Sequence, residues 1–519
     1  MTRINTNVPS MIARSNLAKT SRELDVRLER LSTGLRINRG KDDPAGLIIS
    51  ERLRSNIRGA EQGIKNSERA SAVIATTEGS LTEINELLNS IKALVVEAAN
   101  TGAFSDEEIA ANQAQIDSAI DSITRIADTA RFGDLRLLDG SLGYQTSGIA
   151  LSAIAKTNVR AASFNQDSAL DVQVEVLNSA QQGGLYLRGD LPTPGDPLNG
   201  TILSTTVLEV RGPLGVVSLE FTQGQTYTQV RDAINRLTPS TGVIADLINN
   251  SPVSGLAFRS SEFGSKSFVS VDRLNAPPAG GAWQTFKFVD DLAIGANNPF
   301  PWGTVGTDLL VAQRDQGRDV QAIINGALAN GDGLNISIAS SQLSLQLTLT
   351  AEFATRANES TTFNITGGGS LFQLGSEVVA QQQVNIGINS VAATRLGGTL
   401  VNDTLEFLES LKTGRQNSLA ESKQRGNFTA ASRITDTAID EVTIIRGRLG
   451  AFERNTLQTN IRSLALAVEN LTASESTIRD ADFASETSLL TRAQILAASG
   501  TTILGIANQQ SQNVLQLLG

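Results

Sequence analysis

Apolar positions recur at two different periods along this chain, and the change from one to the other divides it. Near the start, Leu17, Ser21, Leu24, Leu28, Leu31 and Leu35 are spaced four-three-four-three-four, a heptad seam with arginines and glutamates lying off it. The pattern stops at Arg36–Gly46, where Asp43 followed by Pro44 predicts an N-cap with proline at the first helical position. The next helix carries Ile49, Leu53, Ile57, Ala60 and Ile64 on to Leu81, Ile84, Leu88, Ile91 and Val95, and ends near Asn100–Gly102. Ser105-Asp-Glu-Glu108 then caps a third helix, with the seam Ile109, Gln113, Ile116, Ile120, Ile123 and Ala127.

From about residue 145 the period becomes two. Val172, Val174 and Val176 alternate with Asp171, Gln173 and Glu175, which predicts a half-buried strand. Val207–Phe221 predicts a hairpin about Gly212-Pro213, followed by a short helix from Thr228 to Leu237 and strands at Val243–Leu247, Leu256–Phe258 and Phe268–Val271. A second, similar series follows: a strand at Trp283–Val289, a helical Val320–Asn325, and Leu343, Leu345, Leu347 and Leu349 in strict alternation. The sequence therefore predicts two consecutive α+β modules, divided near Ala276-Pro-Pro-Ala-Gly-Gly281.

Period 3.5 returns at Val442, Ile445, Leu449 and Phe452, continuing with Leu457, Ile461, Leu464, Val468 and Leu471, with one extra residue at the junction. After a break near Ser474–Asp482, Leu489, Ala493, Leu496, Gly500, Ile503, Ala507, Val514 and Leu517 mark one helical stripe, with no chain left to fold back over it. The expected fold class is multidomain α plus β. Terminal heptad-patterned helices pack as an antiparallel bundle or coiled coil, with β-rich α+β modules inserted between them. The divisions expected are 1–42, 43–145, 146–275, 276–370, 371–398, 399–474 and 475–519: N-terminal helix and break, N-terminal helical segment, two β-rich modules, a return β segment, and two C-terminal helical segments.

Composition narrows the chemistry. The chain has neither cysteine nor histidine, which removes disulfides, thiol nucleophiles, imidazole bases, Ser-His-Asp triads and histidine-ligated zinc. No enzymatic activity and no cofactor are expected. The net charge of −10 is uneven, with residues 1–60 at +6 and residues 61–140 at −8. The basic arm has its arginines beside acids on an amphipathic helix, and residues 1–103 contain no aromatic to stack a base, so nucleic acid is not an expected partner. No uninterrupted apolar run approaches the ~20 residues of a membrane span, and none near Met1 forms a cleavable signal, so no membrane insertion is expected. Trp283 and Trp302 invite a carbohydrate-binding reading of the middle, with core or turn packing as the alternative.

Several long motifs resemble one family. Ile4–Ser10, Leu28–Asn38, Lys41–Leu47 and Ala130-Arg-Phe-Gly133 resemble the N-terminal region of bacterial flagellin. Ile478–Glu486, Arg492–Leu496 and Ala507–Leu518 resemble its C-terminal region. The resemblance covers residues 1–145 and 400–519; Asp232–Asn235 and Ala322–Asn325 look more loosely like the small β-rich module of flagellins and filament caps. It implies an extracellular subunit of the flagellar filament, a helical homopolymer. The expected polymerisation interface is Leu17, Leu24, Leu28, Leu31, Leu35, Leu489, Leu496, Ile503, Val514 and Leu517, and the expected break between tube layers is Asn38, Asp42, Asp43 and Pro44. The partners implied are other copies of the chain, the flagellar type III export apparatus with an export chaperone, and the filament cap and hook-associated proteins. A hook–filament junction protein of the same superfamily is the alternative.

In the family, the middle layer is where a vertebrate Toll-like receptor recognises flagellin. Leu94 matches that pattern, but Ser90 replaces the usual arginine and Gln115 the usual glutamate. Losing a charged side chain at an interface hot spot costs about 2 kcal/mol or more. Receptor activation is therefore expected to be weak or absent in a reporter-cell assay, and activation at nanomolar concentration would contradict this.

Overall fold

The computed structural model describes residues 6–162, 164, 169–188, 200–277, 283–289, 300, 302, 306–340, 342–401 and 404–516, without the side chains of 511–516. Two compact units account for the chain. One comprises Met1–Ser71, Phe372–Val384 and Phe452–Gly519; the other comprises Ala72–Leu371 and Asn385–Ala451.

The first unit is built on the terminal helices Val8–Thr33 and Phe483–Gln516. Asn7 caps the first by accepting from the Ser10 amide, and Gly34 ends it in the left-handed conformation. Helix Pro44–Ala98 starts as the sequence predicts, with Asp43 Oδ1 accepting from the Gly46 amide at 2.9 Å. The extra residue between Phe452 and Leu457 has a local consequence. Glu453–Leu457 forms a π-helical turn linking helices Thr429–Phe452 and Gln458–Arg479. A π turn absorbs one added residue without breaking the helix.

In the second unit the helical seams are fully buried. Leu81, Ile84, Leu88 and Ile91 on the first helix, Ile116, Ile120 and Ile123 on helix Asp106–Thr129, and Ile434, Ala438 and Val442 on the third have no solvent exposure. Ser105 and Glu108 close the expected capping box. Lys92 Nζ reaches Asp436 Oδ2 at 2.6 Å, tying the first helix to the third. Buried Gln113 bonds the Leu411 carbonyl and the Leu419 amide, tying the second helix to the returning chain.

The β region departs from the expected order. Tyr144–Ser147 and Leu170–Asn178 do not pair with the strands that follow them. They join Ser360–Gly368, Gln321–Ile324 and Ala327–Leu328 in a five-stranded sheet. Ile154–Ala162 pairs with Leu343–Leu349 in a four-stranded sheet, and both sheets share one apolar core. Between these halves lies a second module with its own sheets and core, holding the Thr206–Arg211/Val216–Phe221 hairpin and helix Tyr227–Arg236. The modules are thus nested rather than consecutive, and the division expected at 276–281 falls inside the inserted one (278–281 lie outside the described residues). The chain enters and leaves that module at a bridge between Gln181 and Arg318.

A second correction concerns Val320–Asn325, expected to be helical. Residues Gln321–Ile324 form a strand that turns back through Asn325 and Gly326, with φ of 49° and 80°, into Ala327–Leu328. An Asn-Gly pair with both φ positive makes a two-residue hairpin turn, and it outweighs the helical spacing of the preceding apolar residues.

Trp302 packs against Phe286 and Phe300 and donates from Nε1 to the Ser254 carbonyl at 2.9 Å. Trp283 packs against the core of the inserted module, with Arg273 over its ring. Both positions fit the packing reading of the tryptophans.

Candidate assembly interface

The terminal helices run antiparallel to each other over nearly their whole described length. At one end Asn7 Nδ2 donates to the Ala507 carbonyl at 2.9 Å and Ser10 Oγ bonds Asn508 Oδ1 at 2.7 Å; at the other the Ala481 amide donates to the Gly34 carbonyl.

Which residues face inward follows a heptad rule, but not the line of the largest side chains. On the C-terminal helix the buried or half-buried positions are Glu486, Leu489, Leu490, Ala493, Ala497, Gly500, Leu504 and Ala507, all but Leu489 at heptad spacing. On the N-terminal helix they include Ser10, Ala13, Leu17, Thr20, Leu24, Arg27 and Leu31. Small residues occupy the inner line because the helices approach closely. A Cβ added at Gly500 would stand 3.2 Å from Leu17 Cδ1.

This sorting divides the ten residues expected to form the polymerisation interface. Leu17, Leu24, Leu31, Leu35 and Leu489 are half-buried within the chain. Leu28, Leu496 and Ile503 stay open, at 48%, 45% and 55% exposure, together with Ile495 and Ile506, which sequence reasoning missed. The helical backbone at Val514 is described, but its side chain and the whole of Leu517 lie outside the described residues. Each terminal helix therefore uses one edge on its partner helix and leaves a second, aliphatic edge in water. The small residues at heptad spacing were the available signal for this division.

Glu486 fastens the pair. Its carboxylate lies 2.9 Å from Arg27 Nη1 and 3.0 Å from Arg30 Nη1 and is almost entirely buried. Burial alone would push its carboxyl up, but hydrogen bonds from Arg27 and Arg30, reinforced by their charges, outweigh this and hold it below the ordinary carboxylate value. A carboxyl lowered by folding contributes stability that is present above its unfolded pKa and lost as pH falls through the folded one. Acid titration followed by circular dichroism is expected to loosen the helix pair below the ordinary carboxylate range. Glu486→Gln is expected to weaken the pair by about 1–2 kcal/mol at neutral pH and to flatten that acid transition. An unchanged transition in the variant would contradict the assignment.

The two breaks in the helices lie side by side. Arg36 donates from its amide to the Arg479 carbonyl at 2.7 Å, and Leu35 bridges Asp480. Asp42 Oδ2 accepts from the Asn38 and Arg39 amides at 3.1 and 2.8 Å; the Arg39 amide is the largest cause holding its carboxyl below the usual value. Asn38 Nδ2 bonds the Leu35 carbonyl, Ile37 is buried, and Asp43 with Pro44 restarts the helix. All four expected break residues thus belong to one ordered turn. In the second unit, Ser90 and Gln115 are exposed and Leu94 is half-buried, so the receptor-like stretch is a surface.

Among the described helices, the segment Phe483–Gln510 alone is long and apolar enough to cross a membrane by length and composition, and it is almost wholly unburied by the rest of the chain. No cluster of three or more acidic side chains able to hold a metal occurs among the described residues.

Residues 4–142 match the bacterial flagellin N-terminal helical region, and residues 433–518 match the bacterial flagellin C-terminal helical region. Over 99% of both chains, the protein is 28% identical to a flagellin of Salmonella rubislaw and 28% identical to the B-type flagellin of Pseudomonas aeruginosa. Among solved structures, hook-associated protein-3 of Legionella pneumophila overlaps 82% of this chain and 98% of its own, at 10% identity and a TM-score of 0.30.

Proposed function

This chain belongs to the bacterial flagellin family, and on that premise we infer that the open edges of its terminal helices are the surfaces through which its copies polymerise. It is a structural subunit of the extracellular flagellar filament, not an enzyme. The observation that carries the interface reading is the division of each terminal helix into an inner edge and an open aliphatic one. Fully burying an exposed aliphatic side chain stabilises by about 1.5–3 kcal/mol, and a single chain leaves about half of this unrealised at each open position. A second copy placed head-to-tail removes that area from water and leaves its own open edge for a third, which generates a filament rather than a closed oligomer.

The same arithmetic makes the terminal helices dependent on assembly. Their inner contact is a single edge on which small residues are interspersed with half-buried leucines around one ionic clasp, and helices packed along one edge gain much of their order from the next subunit. The ordered turn at Asn38, Asp42, Asp43 and Pro44 is read as the boundary between tube layers, set by the adjacent break at Asp480–Asp482. The apolar length of Phe483–Gln510 is assigned to the filament rather than to a lipid bilayer, because Glu486 and Arg492 fall within it and its small edge is already occupied. Delivery by the flagellar export apparatus with a chaperone, and contact with cap and hook-associated proteins at the filament ends, complete the proposal. The match to flagellins over 99% of both chains favours this reading over a hook–filament junction protein.

Deleting Leu489–Gly519 is the experiment. The β modules should keep their melting transition, and growth from filament seeds should be abolished; growth at the normal rate would sink the proposal.

A further inference from the structure

Strand Ile154–Ala162 presents Lys156, Asn158 and Arg160 toward other elements, and each makes a cross-link of different chemistry. Lys156 forms an ion pair with Glu441 of helix Thr429–Phe452. Asn158 Oδ1 accepts from Asn389 Nδ2 at 2.7 Å. Arg160 meets another cation: Arg448 Nη2, from the same helix as Glu441, donates to the Arg160 carbonyl at 2.5 Å. Where complementary groups occupy the first two positions, the third sets one arginine against another.

The backbone creates this arrangement. Ser344 pairs with Ala161 and Leu345 with Val159, so Arg160 is the extra residue of a β-bulge. A bulge leaves one residue out of the ladder and re-aims its side chain, and here the Arg160 carbonyl is taken by Arg448. The Arg160 side chain donates from Nη2 to Gln346 Oε1 at 2.5 Å, while its Nε is buried with no hydrogen-bond partner among the described residues. Arg448 is mostly buried, which with the charge of Arg160 lowers its pKa to about 10; Tyr144 is the other titratable group whose charge it feels, and neither neighbour is a carboxylate. A mostly buried guanidinium that rests on the backbone of a second arginine and feels its charge is costly unless an anion joins them. The planar fork of arginine matches an oxyanion that can accept two hydrogen bonds.

We propose that Arg160 and Arg448 form a binding site for an oxyanion, aimed by the β-bulge and completed either by a free inorganic ion or by a carboxylate of a neighbouring copy. The two sources share the same chemistry, so inorganic phosphate is the probe for both.

Calorimetric titration of the full-length monomer with inorganic phosphate, at constant ionic strength, is expected to show one site per chain. Arg448→Met and Arg160→Met should each weaken binding about tenfold or more, the loss expected for one charge-assisted partner. Arg448→Lys keeps the charge but not the fork, and it should bind with intermediate affinity; it also serves if the methionine variants fail to fold. Repeating the titration on assembled filaments separates the sources. Binding retained there supports a free ion, and binding lost there supports a neighbour's carboxylate already in place. No stoichiometric binding by the wild-type monomer, or equal binding by wild type and all the variants, would overturn the proposal.

Discussion

Replacing Leu496 and Ile503 together by serine will leave the monomer's melting temperature essentially unchanged and raise the critical concentration for polymerisation about ten- to a hundredfold. Both residues lie on the open edge of helix Phe483–Gln516, outside the buried cores of the monomer, and about half of each side chain is still open to water. In the filament the exposed half of each stands to be buried, at about 0.7–1.5 kcal/mol per side chain, half the value for a fully exposed one. Two of them give about 1.5–3 kcal/mol, and each 1.4 kcal/mol is tenfold in an association constant. Sedimentation of assembled from free protein over a concentration series measures the effect. An unchanged critical concentration would place the subunit contact elsewhere on the chain.

Leu88→Ala should produce the opposite pattern. Leu88 has no solvent exposure and belongs to the same buried seam as Leu81, Ile84 and Ile91. Emptying such a position costs about 2–5 kcal/mol, from lost transfer energy plus the cavity left behind. The monomer's own unfolding transition should therefore move to markedly lower denaturant concentration, with the critical concentration changing only as far as the folded population does. Chemical denaturation followed by circular dichroism reads this directly. If Leu88→Ala left the midpoint in place, the seam would not be the core of the second unit. The two variants separate residues that hold the subunit together from residues that hold subunits to each other.

Local rules read much of this chain correctly. The capping box at Ser105, the Asp43-Pro44 start, the alternation at Val172–Val176 and the hairpin about Gly212-Pro213 depend on residues within a few positions of one another. The extra residue before Leu457 was visible as a spacing fault and appears as a π turn. What failed was non-local or depended on competition between signals. The nesting of one β module in the other depends on Leu170–Asn178 pairing with Ser360–Gly368, nearly two hundred residues on, and neither strand carries a mark of its partner. Gln321–Ile324 has apolar residues that suit a helix, and only the Asn-Gly turn after it decides for a strand.

The terminal helices show the same limit in the candidate site itself. Leucine and isoleucine spacing located the stripe but not the line along which the two helices touch. That line is set by how closely the backbones can approach, so it follows Ala493, Ala497, Gly500 and Ala507 rather than the larger Leu496 and Ile503. The Glu486 clasp was equally hidden, because Arg27 and Arg30 lie more than four hundred and fifty residues away in sequence.

An electron cryomicroscopy reconstruction of filaments assembled from this protein, at side-chain resolution, tests the central claim most directly. Ala493, Gly500 and Ala507 should lie against the N-terminal helix of their own chain, with Leu496, Ile503 and Ile506 buried against a neighbouring copy. Finding those three aliphatic side chains in solvent, or the terminal helices of each chain separated from one another, would contradict it.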